Sequence, residues 1–184
     1  KKFNIKGVKI IEGGKTRAMS AFNALKSIKK LHVKNVLIHD GARPNFSLKL
    51  LTKLIKELSS NDCIVPAIKT TDSVKEKLSN KVINLKRENI YLTQTPQAFN
   101  FKKLYKLQNN KSLTVTDDAN LFINAGEKIK FIKGEPNNNK ITINSDIRLN
   151  NSIRFGIGFD VHRLVPKKNL YLAGIKIPSN LGTL

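Results

Sequence analysis

Three places in this 184-residue chain carry side chains whose types and spacing could do chemistry. The first is His39-Asp40-Gly41-Ala42-Arg43-Pro44, directly after the apolar run Val36-Leu37-Ile38. In open α/β sheets ligands bind outside the carboxyl ends of strands. An Asp there can hold Mg²⁺ against phosphate oxygens, Gly41 lets the backbone approach a ribose, and Arg43 can offer a planar donor pair to an anion. The same residues also suit a plain turn, with Asp40 as turn former and Arg43 as its surface partner. The second place is Gly13-Gly14-Lys15-Thr16-Arg17-Ala18-Met19-Ser20, a glycine-rich turn of the kind that brings backbone N–H groups to a ligand. Its spacing matches neither a Walker P-loop nor a dinucleotide fingerprint. The third is Asp160-Val161-His162. Residues one apart on a strand share a face, and carboxylate and imidazole both suit Zn²⁺, although a lone Asp-x-His is also a common surface pair.

Apolar runs that alternate with amphipathic segments predict an α/β domain to position these groups. Val8 to Ile11 reads as a strand leading into the glycine turn. Met19, Phe22, Leu25 and Ile28 then recur at three-residue spacing in a helix from about Arg17 to Lys30. Val36 to Ile38 reads as a strand of the buried parallel type. Ser47 suits the N-cap of a helix whose face is Leu50, Leu51, Leu54, Ile55 and Leu58. Cys63 to Ile68 is the next strand. From Thr70 to Thr93 charged residues separate short pieces, Val82 to Leu85 and Ile90 to Leu92, which suggests a protruding β-arm. Phe101 to Leu107 reads as a short helix, and Thr116 as the cap of another through about Ala125. There Asp117 and Asp118 face the positive end of the dipole, and Gly126 sits just past the close. Lys128 to Lys133 and Lys140 to Ile143 read as strands around a polar loop. A second unit begins near Ile153, with a strand over Arg154 to Phe159 and two more within Leu170 to Ile177. Some thirty residues are too few to bury a core, so this unit is expected to be incomplete or to lean on something else.

The formal charge of +21 invites a nucleic-acid reading, but the lysines are spread along the chain beside abundant asparagine. That pattern fits an AT-rich genome, and a basic surface also suits anionic small molecules. Neither nucleic acid nor a membrane is the expected partner: no run approaches the roughly 20 apolar residues of a bilayer span. The start at Lys1 instead of Met suggests a piece of a longer product. The single cysteine, Cys63, excludes an internal disulfide, suits a cytoplasmic location, and reads as a buried strand residue.

Taken in order, Gly13 to Ser20, His39 to Pro44, Asp72-Ser73-Val74-Lys75, Thr95-Pro96-Gln97-x-Phe99, Thr116-Asp117-Asp118-Ala119 and Asn139-Lys140-Ile141-Thr142 resemble the 2-C-methyl-D-erythritol 4-phosphate cytidylyltransferase family, over about residues 8 to 149. Arg154-Phe155-Gly156-Ile157-Gly158-Phe159-Asp160-Val161-His162-Arg163, continued by Leu172 to Pro178, is similar to the opening of the 2-C-methyl-D-erythritol 2,4-cyclodiphosphate synthase family. The two enzymes are fused in this order in some bacteria. The resemblance implies a Rossmann-like three-layer nucleotidyltransferase sandwich with a β-arm over residues 1–151, then the first strands of an α+β cyclase domain over 153–184.

The resemblance also implies roles. Gly14 and Ser20 would read the cytosine of CTP, with Arg17 supporting their loop. Asp40 would ligate Mg²⁺ on the CTP phosphates, with Gly41 near the ribose and Arg43 close by. Ser73, Arg87, Thr95, Thr116 and Lys140 would hold methylerythritol phosphate, and Arg87 and Lys140 would orient it for in-line attack on the α-phosphorus. The arm would swap across a homodimer, so that Ser73 and Arg87 serve the partner's site. In the intact protein the cyclase domain would be trimeric, with Asp160 and His162 as zinc ligands. His32 and His39 read as structural or incidental.

Against the family pattern, nothing before Val8 resembles its glycine-rich triphosphate loop, and a third zinc-ligand histidine would fall beyond Leu184. The 184 residues by themselves are therefore expected to be inactive in both reactions. Lys15 stands where the family often has an acid, and Ser73 where it usually has threonine. The competing expectations are a nucleotidyltransferase for another polyol or sugar phosphate, and a basic nucleic-acid-binding module.

Overall fold

A computed structural model of the chain describes residues 7–109, 115, 117–149, 163–172 and 174–183. The ligand role expected of Thr116, the strand over 154–159, and Asp160 and His162 lie outside the described residues; the cap position expected at Thr116 falls to Asp118 instead, since the helix starts at Ala119. The chain divides into two compact units, one up to Ile147 and one from Arg148.

In the first unit, helix α1 (Arg17–Ile28) begins where Thr16 is extended and its hydroxyl accepts the Met19 N–H at 3.1 Å. It buries Ala18, Phe22 and Leu25. Strand β1 (Asn35–Ile38) leads through the Asp40 turn to α2 (Leu48–Glu57), which Ser47 caps by accepting the Leu50 N–H at 3.1 Å. Leu50, Leu54 and Leu58 are buried at four-residue spacing, whereas Ile55 is 54% exposed. It stands about 100° round the helix from Leu54, off the buried stripe. Strand β2 (Cys63–Lys69) is buried through Ala67. β3 (Val74–Leu78) and β4 (Lys81–Leu85) form an antiparallel hairpin that is a two-stranded sheet of its own. The chain continues through β5 (Tyr91–Thr93), β6 (Gln97–Asn100), α3 (Phe101–Asn109), α4 (Ala119–Asn124), β7 (Lys130–Lys133) and α5 (Asn144–Leu149).

The main sheet runs β1-β6-β2-β5, with β7 paired to β2. Alternation along β2 divides the core: Cys63 and Val65 pack with Leu25, Leu104, Leu121 and Phe122, whereas Ile64 packs with Leu50, Leu54 and Leu58. Thus α1, α3 and α4 cover one face and α2 the other, giving three layers.

Four further expectations are corrected. β1 is antiparallel to β6 and only half-buried, because a short apolar run carries no information on strand direction. Val8 to Ile11 is not a strand: Val8 is 58% and Ile10 82% exposed, and apolar alternation forms no ladder without a neighbouring strand. Ile90 to Leu92 does not belong to the arm; β5 pairs with β2 through Ala67, Ile68 and Lys69. Lys140 to Ile143 is an irregular segment, not a strand. The Ile141 N–H donates to the Ala42 carbonyl at 2.9 Å, and the Asp146 carboxylate accepts the N–H groups of Thr142 and Ile143 at 2.7 and 3.1 Å. Those bonds, made ahead of α5, hold the Asp146 carboxyl below its ordinary range.

In the second unit β9 (Leu170–Leu172) and β10 (Ile175–Ile177) are the two expected strands, joined at Gly174 with φ +80°. β8 (Leu164–Pro166) and β11 (Leu181–Thr183) also pair, in runs too short to show a period in the sequence. Among the described residues no helix is long and apolar enough to cross a membrane.

Candidate active site

Beyond the tip of β1 the chain makes a turn closed by the Arg43 N–H on the Asp40 carbonyl at 3.0 Å. His39 braces it. Its Nε2 lies 2.8 Å from the Arg43 carbonyl, which can only accept, so Nε2 carries the proton and Nδ1 faces the Thr95 hydroxyl at 3.1 Å. That hydroxyl in turn accepts the Asp40 N–H at 2.9 Å. The Asp40 carboxylate sits between two cations on one oxygen: Lys140 Nζ is 3.1 Å and Arg43 Nε 3.6 Å from Oδ2. Arg43 also donates to the Asn138 carbonyl at 2.8 Å.

A second set of bonds organises the start of α4. Buried Asp118 accepts from Arg17 at 2.7 Å and from Gln108 at 3.0 Å. Burial pulls the Arg17 guanidinium down, but the bond to Asp118 and the nearby charges of Asp117 and Asp40 outweigh it and leave it above its ordinary value. Asp117 accepts the Ala119 N–H at 2.9 Å and the Gln97 amide at 3.0 Å.

These groups line one polar cleft of about 160 Å³, with three cations (Arg17, Arg43, Lys140) facing three carboxylates (Asp40, Asp117, Asp118) and Thr93, Thr95 and Gln97 between them. Pockets for whole small molecules run to roughly 300–1,000 Å³, so this one has room for only a phosphate-sized group. The donor set suits Mg²⁺ at Asp40: a hard carboxylate oxygen at the strand tip can share such an ion with phosphate oxygens. Asp117 is already committed to Ala119, Gln97 and Thr93.

The structure thus brings together Arg17, Asp40, Arg43, Thr95 and Lys140 from the residues singled out in the sequence. Gly14 and Ser20 pair with each other at the head of α1, the Gly14 N–H donating to the Ser20 hydroxyl at 2.9 Å. A Cβ on Gly14 would collide with that of Met19, so packing of the helix alone calls for glycine there. Gly41 has open space where a Cβ would stand. Ser73 and Arg87 do not line the cleft; they share a separate hollow at the base of the arm with Asn84, Lys86 and Glu88. Sequence reasoning missed Thr93, Gln97, Asp117 and Asp118 as members of the cleft. The last three fall within the quoted motifs, but Asp117 and Asp118 had a sufficient reading as dipole partners of a helix. Cys63, as expected, is fully buried, and burial together with the carboxylates of Asp117, Asp118 and Asp62 pushes its thiol up to about 12.

The family model for 2-C-methyl-D-erythritol 4-phosphate cytidylyltransferase matches residues 2–154. A bifunctional enzyme IspD/IspF of Pelagibacter ubique is 73% identical over 184 residues, covering 100% of this chain and 50% of that protein. The solved bifunctional IspDF of Campylobacter jejuni superposes with a TM-score of 0.71 at 36% identity, over 98% of this chain and 48% of its own. The 2-C-methyl-D-erythritol 4-phosphate cytidylyltransferase of Francisella tularensis gives 0.71 at 30% identity, over 80% and 72%. The fold is therefore the Rossmann-like nucleotidyltransferase one, and the chain spans about half the length of the curated relatives it matches.

Proposed function

The chain belongs to the 2-C-methyl-D-erythritol 4-phosphate cytidylyltransferase family, and from that membership we propose that its cleft transfers CMP from CTP to 2-C-methyl-D-erythritol 4-phosphate with release of pyrophosphate. The observation that carries the reading is the meeting of Asp40 and Arg43 with Thr95 and Lys140, remote from them in sequence, around one phosphate-sized hollow. Arg43 and Lys140 supply positive charge where a phosphoryl group would sit, and such transfer needs positioning and charge more than covalent chemistry. Lys140 trades its partner Asp40 for the acceptor phosphate, and Thr95 steadies that phosphate through its hydroxyl. Asp40 would hold Mg²⁺, which when bound neutralises charge on the nucleotide phosphates. Gly14 and Ser20 read the base beside Arg17, and Gly41 lies against the ribose.

The arm residues Ser73 and Arg87 serve the second subunit of a homodimer, a reading supported by their separation from the cleft of their own chain. Thr116 adds a hydroxyl on the acceptor side. In the longer protein, Asp160 and His162 would be zinc ligands of a trimeric cyclodiphosphate synthase domain that closes the 2,4-cyclodiphosphate and releases CMP. The spacing of the pair and the fused naming of the relatives support this. Tested alone, the 184 residues are expected to turn over neither substrate.

The test is pyrophosphate release from CTP in the longest polypeptide that carries these residues, with a panel of polyol and sugar phosphates as acceptors. Methylerythritol phosphate should be preferred, and Lys140→Ala should lower turnover about 100-fold. Equal rates with other acceptors would move the reading to a different nucleotidyltransferase.

A further inference from the structure

The loop between β7 and α5 does more than carry Lys140. Two residues before it stands Asn138, fully buried. Its side-chain amide donates to the Thr95 carbonyl at 2.8 Å, and its backbone carbonyl accepts from the Arg43 guanidinium at 2.8 Å. The position is held from behind. Buried Gln94 donates to the carbonyls of Asn138 and Glu135 at 3.2 and 2.8 Å and accepts the Glu135 N–H at 2.9 Å. Gly134 admits this arrangement, since a Cβ there would collide with the Gln94 side chain. Asn138 is therefore bonded both to Arg43, which the proposed function puts beside the nucleotide, and to Thr95, which it puts beside the acceptor.

We propose that Asn138 is a positioning residue which sets the spacing between the two substrates, acting through Arg43 and Thr95 without touching either ligand. The inference rests on the function proposed above. A group that fixes relative placement acts on the reacting geometry more than on either affinity. The chemistry of the side chain supplies a specific signature. Aspartate has the same shape, but as a carboxylate it turns an acceptor towards the Thr95 carbonyl, whereas its neutral acid can donate.

The experiment compares Asn138→Ala and Asn138→Asp with the wild type in the same long polypeptide, per folded molecule as judged by circular dichroism. Asn138→Ala should lower kcat about 100-fold, as an ångström-scale misplacement does, and leave KM for each substrate within about threefold. Asn138→Asp should regain activity relative to wild type as pH falls and the acid becomes neutral. An unchanged kcat, a loss confined to one KM, or an aspartate-to-wild-type ratio flat in pH would each overturn the inference. Where the alanine variant does not fold, the aspartate ratio decides. Absence of wild-type turnover would sink the functional reading instead. In that case a crystal structure of the Asn138→Asp variant decides: displaced Arg43 and Thr95 support the positioning role, and unmoved ones overturn it.

Discussion

In the cleft, the carboxylate of Asp118 is 2% exposed and its partners Arg17 and Gln108 come from two different helices. On the arm, the Arg87 side chain is 59% exposed, and its contacts are the Thr71 carbonyl at 3.0 Å and the neighbouring Glu88 at 3.8 Å. The first region is held by groups from separate elements, Arg17 lying 101 positions from Asp118; the second is held by its own flanks. A side chain fixed only locally costs little to redirect, so the arm can give its charge to a ligand outside its own fold.

The contrast is open to attack, and thiol reactivity gives the largest effect. Below pH 9 the upward shift of Cys63 from 9.0 to about 12 should depress its thiolate population on the order of 1,000-fold relative to Ser73→Cys on the exposed arm. Alkylation rates of the two thiols measure this. The raised pKa also fixes a sign. The stability that Cys63 lends is fully present below its ordinary pKa and is lost as pH rises from 9 towards 12, which a melting series in alkali would follow. Next comes complementation. In the long polypeptide, Asp40→Ala and Arg87→Ala subunits, each nearly inactive, should recover about a quarter of wild-type turnover when mixed, because half the dimers then carry one intact site. No recovery would confine the arm to the cleft of its own chain.

Smaller effects separate the two regions by stability. Asp118→Ala leaves Gln108 buried without its acceptor and Arg17 without its ion pair, and should cost about 2–3 kcal/mol in urea denaturation, read as a lower midpoint at constant slope. Arg17 is 38% exposed, which keeps this below the loss from a fully buried pair. Glu135 accepts from the backbone and hydroxyl of Ser47 at the head of α2, so Glu135→Ala should cost about 1 kcal/mol. Arg87→Ala, by contrast, should stay within about 0.5 kcal/mol of wild type.

How far the sequence was readable follows the range of the forces involved. Helices α1 and α2 were legible because capping and burial are local: Ser47 and the stripe of Leu50, Leu54 and Leu58 announce themselves within one or two turns, whereas α5 was not foreseen. The direction of β1 and the true place of β5 were not, since strand pairing is decided by partners dozens of residues away. In the site, Asp40, Arg43, Thr95 and Lys140 were found through the order of motifs. Asn138 and Gln94 were not: a buried amide looks like any other Asn or Gln until its partners are known. The segment from Lys140 to Ile143 was misread because Asp146, which captures its N–H groups, acts from the helix that follows.

The bond from Arg17 to Asp118 joins positions 101 residues apart, and that from Arg43 to Asn138 joins positions 95 apart. A ribosome adding about 5–20 residues per second leaves α1 waiting roughly 5–20 s for the partner that anchors it. For that interval the nascent chain carries an unpaired arginine at the head of its first helix and has no cleft. A complete cleft is therefore the last thing this unit acquires during its synthesis, and an interrupted chain would carry the motifs without the site.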